Sequence, residues 1–124
     1  MSTNQANAFD RYQEAAARTA NMDNEKIIKR LQDNPVLLGL LNGALGAAGE
    51  AGEIADHIKK VVFHGHDLDV EYLVKECGDD IWYLADILRR LQIKLSHAAG
   101  VNIKKLKDRY PDGFDEQKSI NREA

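Results

Sequence analysis

Two runs of apolar residues at coiled-coil spacing constrain this chain more than any other feature. Ala47, Ala51, Ile54, Ile58 and Val61 step by 4, 3, 4, 3, and Cys77, Ile81, Leu84, Leu88, Leu91 and Leu95 step by 4, 3, 4, 3, 4. A stripe of that period runs along one side of an α-helix and calls for a partner helix. Beside each seam lies a second stripe: Gly46, Glu50, Glu53, His57 and Lys60 on the first helix, and Glu76, Asp79, Tyr83 and Asp86 on the second. The acids therefore flank the apolar seams instead of occupying a fully solvated face. The pattern predicts an all-α protein whose two longest helices pair.

Each helix carries two acids three residues apart, Glu50 and Glu53 on one, Glu76 and Asp79 on the other. Residues at i and i+3 share a helix face. Antiparallel packing across a turn at Phe63–Asp69 brings the two faces together, and four carboxylates meeting there repel one another unless cations lie between them. That is the physical ground for expecting a magnesium site. Glycines at 39, 43, 46, 49 and 52 reinforce it, because each costs a helix roughly 1 kcal/mol against alanine. Close approach of another helix, or room for a ligand beside the acids, would compensate.

Along the chain, Met1 to Ala6 reads as a loose polar tail, Ala8 to Thr19 as an amphipathic helix and Glu25 to Leu31 as a short one. Asn21, Asp23 and Asn24 break the first helix. Asn34 is expected to cap the next, with Pro35 in its first turn. That helix spans Pro35 to about Phe63, and Phe63-His64-Gly65-His66-Asp67 forms a turn. Asp67 or Asp69 caps a further helix running to about His97. Gly100 ends it or begins a connection, Val101 to Arg109 forms a short basic helix, Pro111 to Phe114 a turn, and the last ten residues an extended polar tail. Cys77 is expected buried on its seam, Trp82 in the core or an interface. His57 takes a structural or outer position, since imidazole is a poor Mg²⁺ ligand. His64 and His66 lack the other ligands of a zinc site.

At 124 residues the chain is one domain, 1–124, with a core at about 37–114 and polar tails at both ends. A net charge of −3 argues against a nucleic-acid polymer or a membrane surface as partner. One cysteine fits a reducing compartment. No apolar signal segment or membrane-length run is present. The cytoplasm is the expected location.

Gly-Ala-Ala-Gly-Glu-Ala-Gly-Glu-Ile-Ala at 46–55, followed by Glu-Cys-Gly-Asp-Asp-Ile-Trp-Tyr-Leu at 76–84, resembles the MazG-like nucleoside triphosphate pyrophosphohydrolases. The family pattern E-x-x-E, spacer, E-x-x-D falls on Glu50, Glu53, Glu76 and Asp79 with 22 residues between, 54 through 75. The segments from Asn102 through Lys105 and from Arg109 to Phe114 resemble the tail of short members. Lys75 and Asp80 depart from it, standing where members often show an acid and an apolar residue. This leaves open whether Asp79 alone or Asp80 too faces the metal.

The resemblance implies a four-helix-bundle-type fold completed by oligomerisation, as a homodimer or homotetramer. It implies Mg²⁺-dependent hydrolysis of a (deoxy)nucleoside triphosphate between its α- and β-phosphates, with Mn²⁺ as a substitute ion. Glu50, Glu53, Glu76 and Asp79 would hold the metal. Glu50 or Glu53 would take the proton of the attacking water, and Lys60, Asn102 and Lys105 would meet the nucleotide. A di-iron bundle is disfavoured, because neither acid pair continues into E-x-x-H. The alternative from another class is a non-catalytic helical oligomerisation or interaction module, which gives no reason for acids and glycines together.

Overall fold

A computed structural model describes residues 3–20 and 23–122 of the chain. It divides into two units, Met1–Asn34 and Pro35–Ala124. Among the described residues every regular element is a helix.

The first unit holds α1, Thr3–Ala17, and α2, Asn24–Asp33. Helix α1 begins inside the expected polar tail, of which Met1 and Ser2 lie outside the described residues, as does Asn21 among the expected breakers. Asn24 opens α2 instead of interrupting the chain, because Asp23 caps it by accepting the Lys26 N–H at 3.1 Å. Asn34 does not cap the following helix. It closes α2, its own N–H donating to the Arg30 carbonyl at 3.0 Å.

The second unit is built on α3, Val36–His64, and α4, Val70–Arg90. Pro35 stands at the start of α3 with φ −61° and ψ −21°, already helical, and no side-chain cap is made there. At 29 residues α3 is about 44 Å long. It stops at Gly65, whose φ of 70° is a left-handed conformation that glycine adopts without steric cost. The His66 N–H then reaches back to the Lys60 carbonyl at 3.2 Å. Of the two expected caps, Asp67 and Asp69, it is Asp69 that caps α4, accepting the Tyr72 N–H at 2.9 Å.

Helix α4 ends at Arg90, seven residues before the expected His97. Gln92 takes φ 60°, and the Ile93 N–H bonds the Leu88 carbonyl at 2.9 Å, a left-handed helix stop with glutamine in glycine's usual place. The seam continues unbroken through Leu91 and Leu95, so its spacing hides this break. The chain restarts as α5, Leu95–Arg109, which carries Gly100 in its interior. The expected extended tail contains a short α6, Glu116–Ile120, started by Asp115 accepting the Lys118 N–H at 2.9 Å.

Glycines set the register of the α3–α4 hairpin. A Cβ on Gly39 would overlap the Arg90 guanidinium, and one on Gly46 would overlap the Tyr83 ring. On Gly43 it would lie 2.5 Å from Ile87 Cγ1. Residue numbers rising along α3 thus meet falling numbers along α4. The closest contacts between the two helices fall on the stripe beside the apolar seam. Three glycines are accounted for by close approach; around Gly49 and Gly52 a Cβ would meet nothing within 4 Å.

The apolar seams are only partly covered. Among the described residues no apolar side chain is buried: Ala47, Ile54, Val61 and Leu88 are half-buried, while Ile58, Ile81 and Leu84 are exposed. Cys77, expected buried, is also exposed. Asp86 is the buried polar residue, clamped by Arg89 at 2.7 Å and Arg90 at 2.8 Å. The Arg90 bond, then that from Arg89, hold its carboxyl below the usual range. No described helix is long and apolar enough to cross a membrane.

Candidate metal centre

Where the glycine register runs out, acids begin. Gly46 faces Tyr83, and one turn further along α3 Glu50 comes opposite Glu76 and Asp79 of α4. Carboxylate oxygens of Glu50, Glu76 and Asp79 all lie within 4.8 Å of one another. Convergence follows from two local facts: Glu76 and Asp79 are i and i+3 on α4, and the flat glycine face brings α3 close. Asp80 is not in this group; its Oδ1 is buried without a hydrogen-bond partner among the described residues. Of the two neighbouring acids, Asp79 contributes an oxygen to the group and Asp80 does not.

Crowding shows in protonation. Glu50 is raised from 4.5 to about 7, first by a hydrogen bond in which its proton is shared with Glu76, then by desolvation and the charges of Glu76, Asp79 and Glu53. The donor set fits a hard divalent cation: three oxygen ligands from carboxylates, no nitrogen or sulfur, and a surplus of negative charge that a proton partly offsets. A 330 Å³ cavity beside it is lined by Glu50, Asp79, Trp82 and Tyr83. Trp82, expected in a core or interface, is 61% exposed at this cavity and packs edge-on against Tyr83 at 5.1 Å.

Glu53 stands apart from the three-acid group. Its Oε2 accepts the Tyr72 hydroxyl at 3.2 Å, and it lines a second cavity of 250 Å³ with Asp56, His57, Lys60, His66, Asp69 and Tyr72. Lys60 is engaged by Asp56 at 2.6 Å, a bond that raises the lysine's pKa and lowers the aspartate's. His57 Nε2 accepts the Asp69 N–H at 3.0 Å while its ring lies 5.2 Å from that of Tyr72. Asn102 and Lys105, on α5, line neither cavity. Tyr72 and Asp56 were not among the predicted site residues. Both were reachable by spacing, Tyr72 four residues before Glu76 and Asp56 four before Lys60.

The opposed shifts predict a stability optimum in mildly acid solution for the metal-free protein. The raised Glu50 value favours the fold below 4.5, a contribution lost as pH climbs to about 7. The lowered Asp86 and Asp56 values act oppositely: their contribution holds above the ordinary carboxylate value and is lost as pH falls. In EDTA, melting temperature should therefore decline between pH 5 and 7, and Mg²⁺ should remove that decline. A flat or rising profile in EDTA over this range would show that the acids do not crowd in solution.

Fold and site together define an all-α protein with a carboxylate cluster, suited to a divalent cation, at the centre of a helical hairpin. The chain belongs to the MazG family: the MazG nucleotide pyrophosphohydrolase domain matches residues 41–114, both acid pairs included. The gene 37 protein of Mycobacterium phage L5 is 32% identical over 117 residues, covering 91% of this chain and 97% of that protein. No solved structure matches the chain.

Proposed function

We propose that this protein hydrolyses a (deoxy)nucleoside triphosphate between the α- and β-phosphates, releasing nucleoside monophosphate and pyrophosphate. The observation that carries this is the meeting of Glu50, Glu76 and Asp79 oxygens within 4.8 Å in a chain of the MazG family. These three acids hold Mg²⁺, or Mn²⁺ in its place, and Glu53 completes the set from the next turn of α3. Bound there, the ion would offset phosphate charge and acidify a water. Glu50 or Glu53 takes the proton of the attacking water. Lys60 keeps donors to spare beyond its bond to Asp56 and meets outer phosphates from the second cavity. Asn102 and Lys105 reach the nucleotide from the same subunit or across a dimer.

A homodimer or homotetramer is part of this proposal. Burying a leucine or isoleucine is worth about 1.5–3 kcal/mol, and the hairpin leaves Leu41, Leu45, Ile58, Ile81 and Leu84 exposed. A monomeric mass by sedimentation at micromolar concentration would overturn it. The free thiol of Cys77 suits a cytoplasmic setting.

The same exposed apolar flanks are what a non-catalytic interaction module would need, so the deciding experiment is chemical. A panel of ribo- and deoxynucleoside triphosphates with Mg²⁺ should yield monophosphate and pyrophosphate in equal amounts. Release of orthophosphate and diphosphate would move cleavage to the other bond, and no turnover on any member would favour the module.

A further inference from the structure

We propose that Tyr72 is a positioning residue for Glu53, its phenol fixing one carboxylate oxygen and leaving the other free for the cation. This rests on the metal-dependent function proposed above. Tyr72 is tied at three points. Its backbone N–H donates to the Asp69 carboxylate at 2.9 Å, its ring packs 5.2 Å from that of His57, and its hydroxyl donates to Glu53 Oε2 at 3.2 Å. His57 is itself fixed by accepting the Asp69 N–H at 3.0 Å. The phenol is therefore held by the start of α4 and by α3 together, and its hydroxyl marks a defined point in space.

Glu53 needs such a point. It is an exposed side chain with three rotatable bonds, on the same face as Glu50 and close enough to feel its charge, so like charge drives it away from the cluster. A neutral O–H donor restrains it without cancelling the negative charge that a cation requires. The nearby ammonium of Lys60 is held first by Asp56, at 2.6 Å, and feels Glu53 only through its charge. Hydrogen-bond partners of carboxylate ligands commonly govern affinity by orienting them.

The test is Mn²⁺ binding to the whole protein, followed by electron paramagnetic resonance, with helical content checked by circular dichroism. Tyr72→Phe keeps the ring on His57 and removes only the hydroxyl; it should weaken Mn²⁺ binding about tenfold or more. Placed on Glu53→Ala, the same change should alter binding by less than about twofold, since Tyr72 acts through Glu53. Unchanged affinity in Tyr72→Phe, or an equal loss in both backgrounds, overturns the proposal. Glu76→Gln separates the two levels. If it loses Mn²⁺ while Tyr72→Phe retains it, only the role of Tyr72 falls; if it too retains Mn²⁺, the metal site itself falls.

Discussion

Glu76→Gln is expected to abolish pyrophosphate release while leaving the fold intact or firmer. Glu76 is the acid on which the cluster turns: it shares the Glu50 proton and contributes an oxygen to the group with Glu50 and Asp79. Loss of a group that merely orients a metal ligand costs about 10–100-fold in affinity or activity, so loss of a ligand should cost at least about 100-fold. The effect on stability should have the opposite sign. Glutamine removes one of the repelling charges and can still hydrogen-bond to Glu50, so the metal-free variant should melt no lower than wild type at neutral pH. Turnover within a few-fold of wild type would remove Glu76 from the site. A collapse of helical content would instead assign it a structural task.

Gly43→Val should destabilise the hairpin. Its Cβ would come 2.5 Å from Ile87 Cγ1 and 3.5 Å from the Tyr83 carbonyl, where the two helices run close together. Overpacking of this kind costs about 1–3 kcal/mol, more than the few tenths that valine regains over glycine in helix propensity. Gly49→Ala should go the other way and stabilise by up to about 1 kcal/mol, because a Cβ there meets nothing within 4 Å. Chemical denaturation of the two variants reads the contrast directly. Equal losses at both positions would mean that α3 is covered along its whole length by something other than α4.

That contrast shows where sequence pattern stops being informative. Gly39, Gly43, Gly46, Gly49 and Gly52 look alike in the sequence, at steps of 4, 3, 3 and 3. Which of them face α4 depends on how far α3 is rolled about its axis, and nothing local sets that angle. The same rotation explains why seam residues such as Ile81 and Leu84 stand exposed. Apolar spacing identifies a buried stripe without naming its partner. In this chain glycine and Tyr83, Ile87 and Arg90 make the close contact. The end of α4 was illegible for a related reason: a left-handed residue at Gln92 carries no glycine to announce it.

Local chemistry was far easier to read. Asp69 caps α4 because a short carboxylate just before a helix satisfies its free N–H groups wherever the helix lies. Gly65 ends α3 for an equally local reason. Spacing alone placed Glu76 beside Asp79 on one face and Glu50 beside Glu53 on another. It could not determine which of the four would meet, because that requires the hairpin's register. Packing brought Glu50, Glu76 and Asp79 together and left Glu53 with Tyr72. Most of the helices, their caps and the acids they carry could be read locally, since these depend on neighbours within a turn or two. Which stripe faces inward and which acids meet was left to packing, because both depend on the roll and offset of one long helix against another.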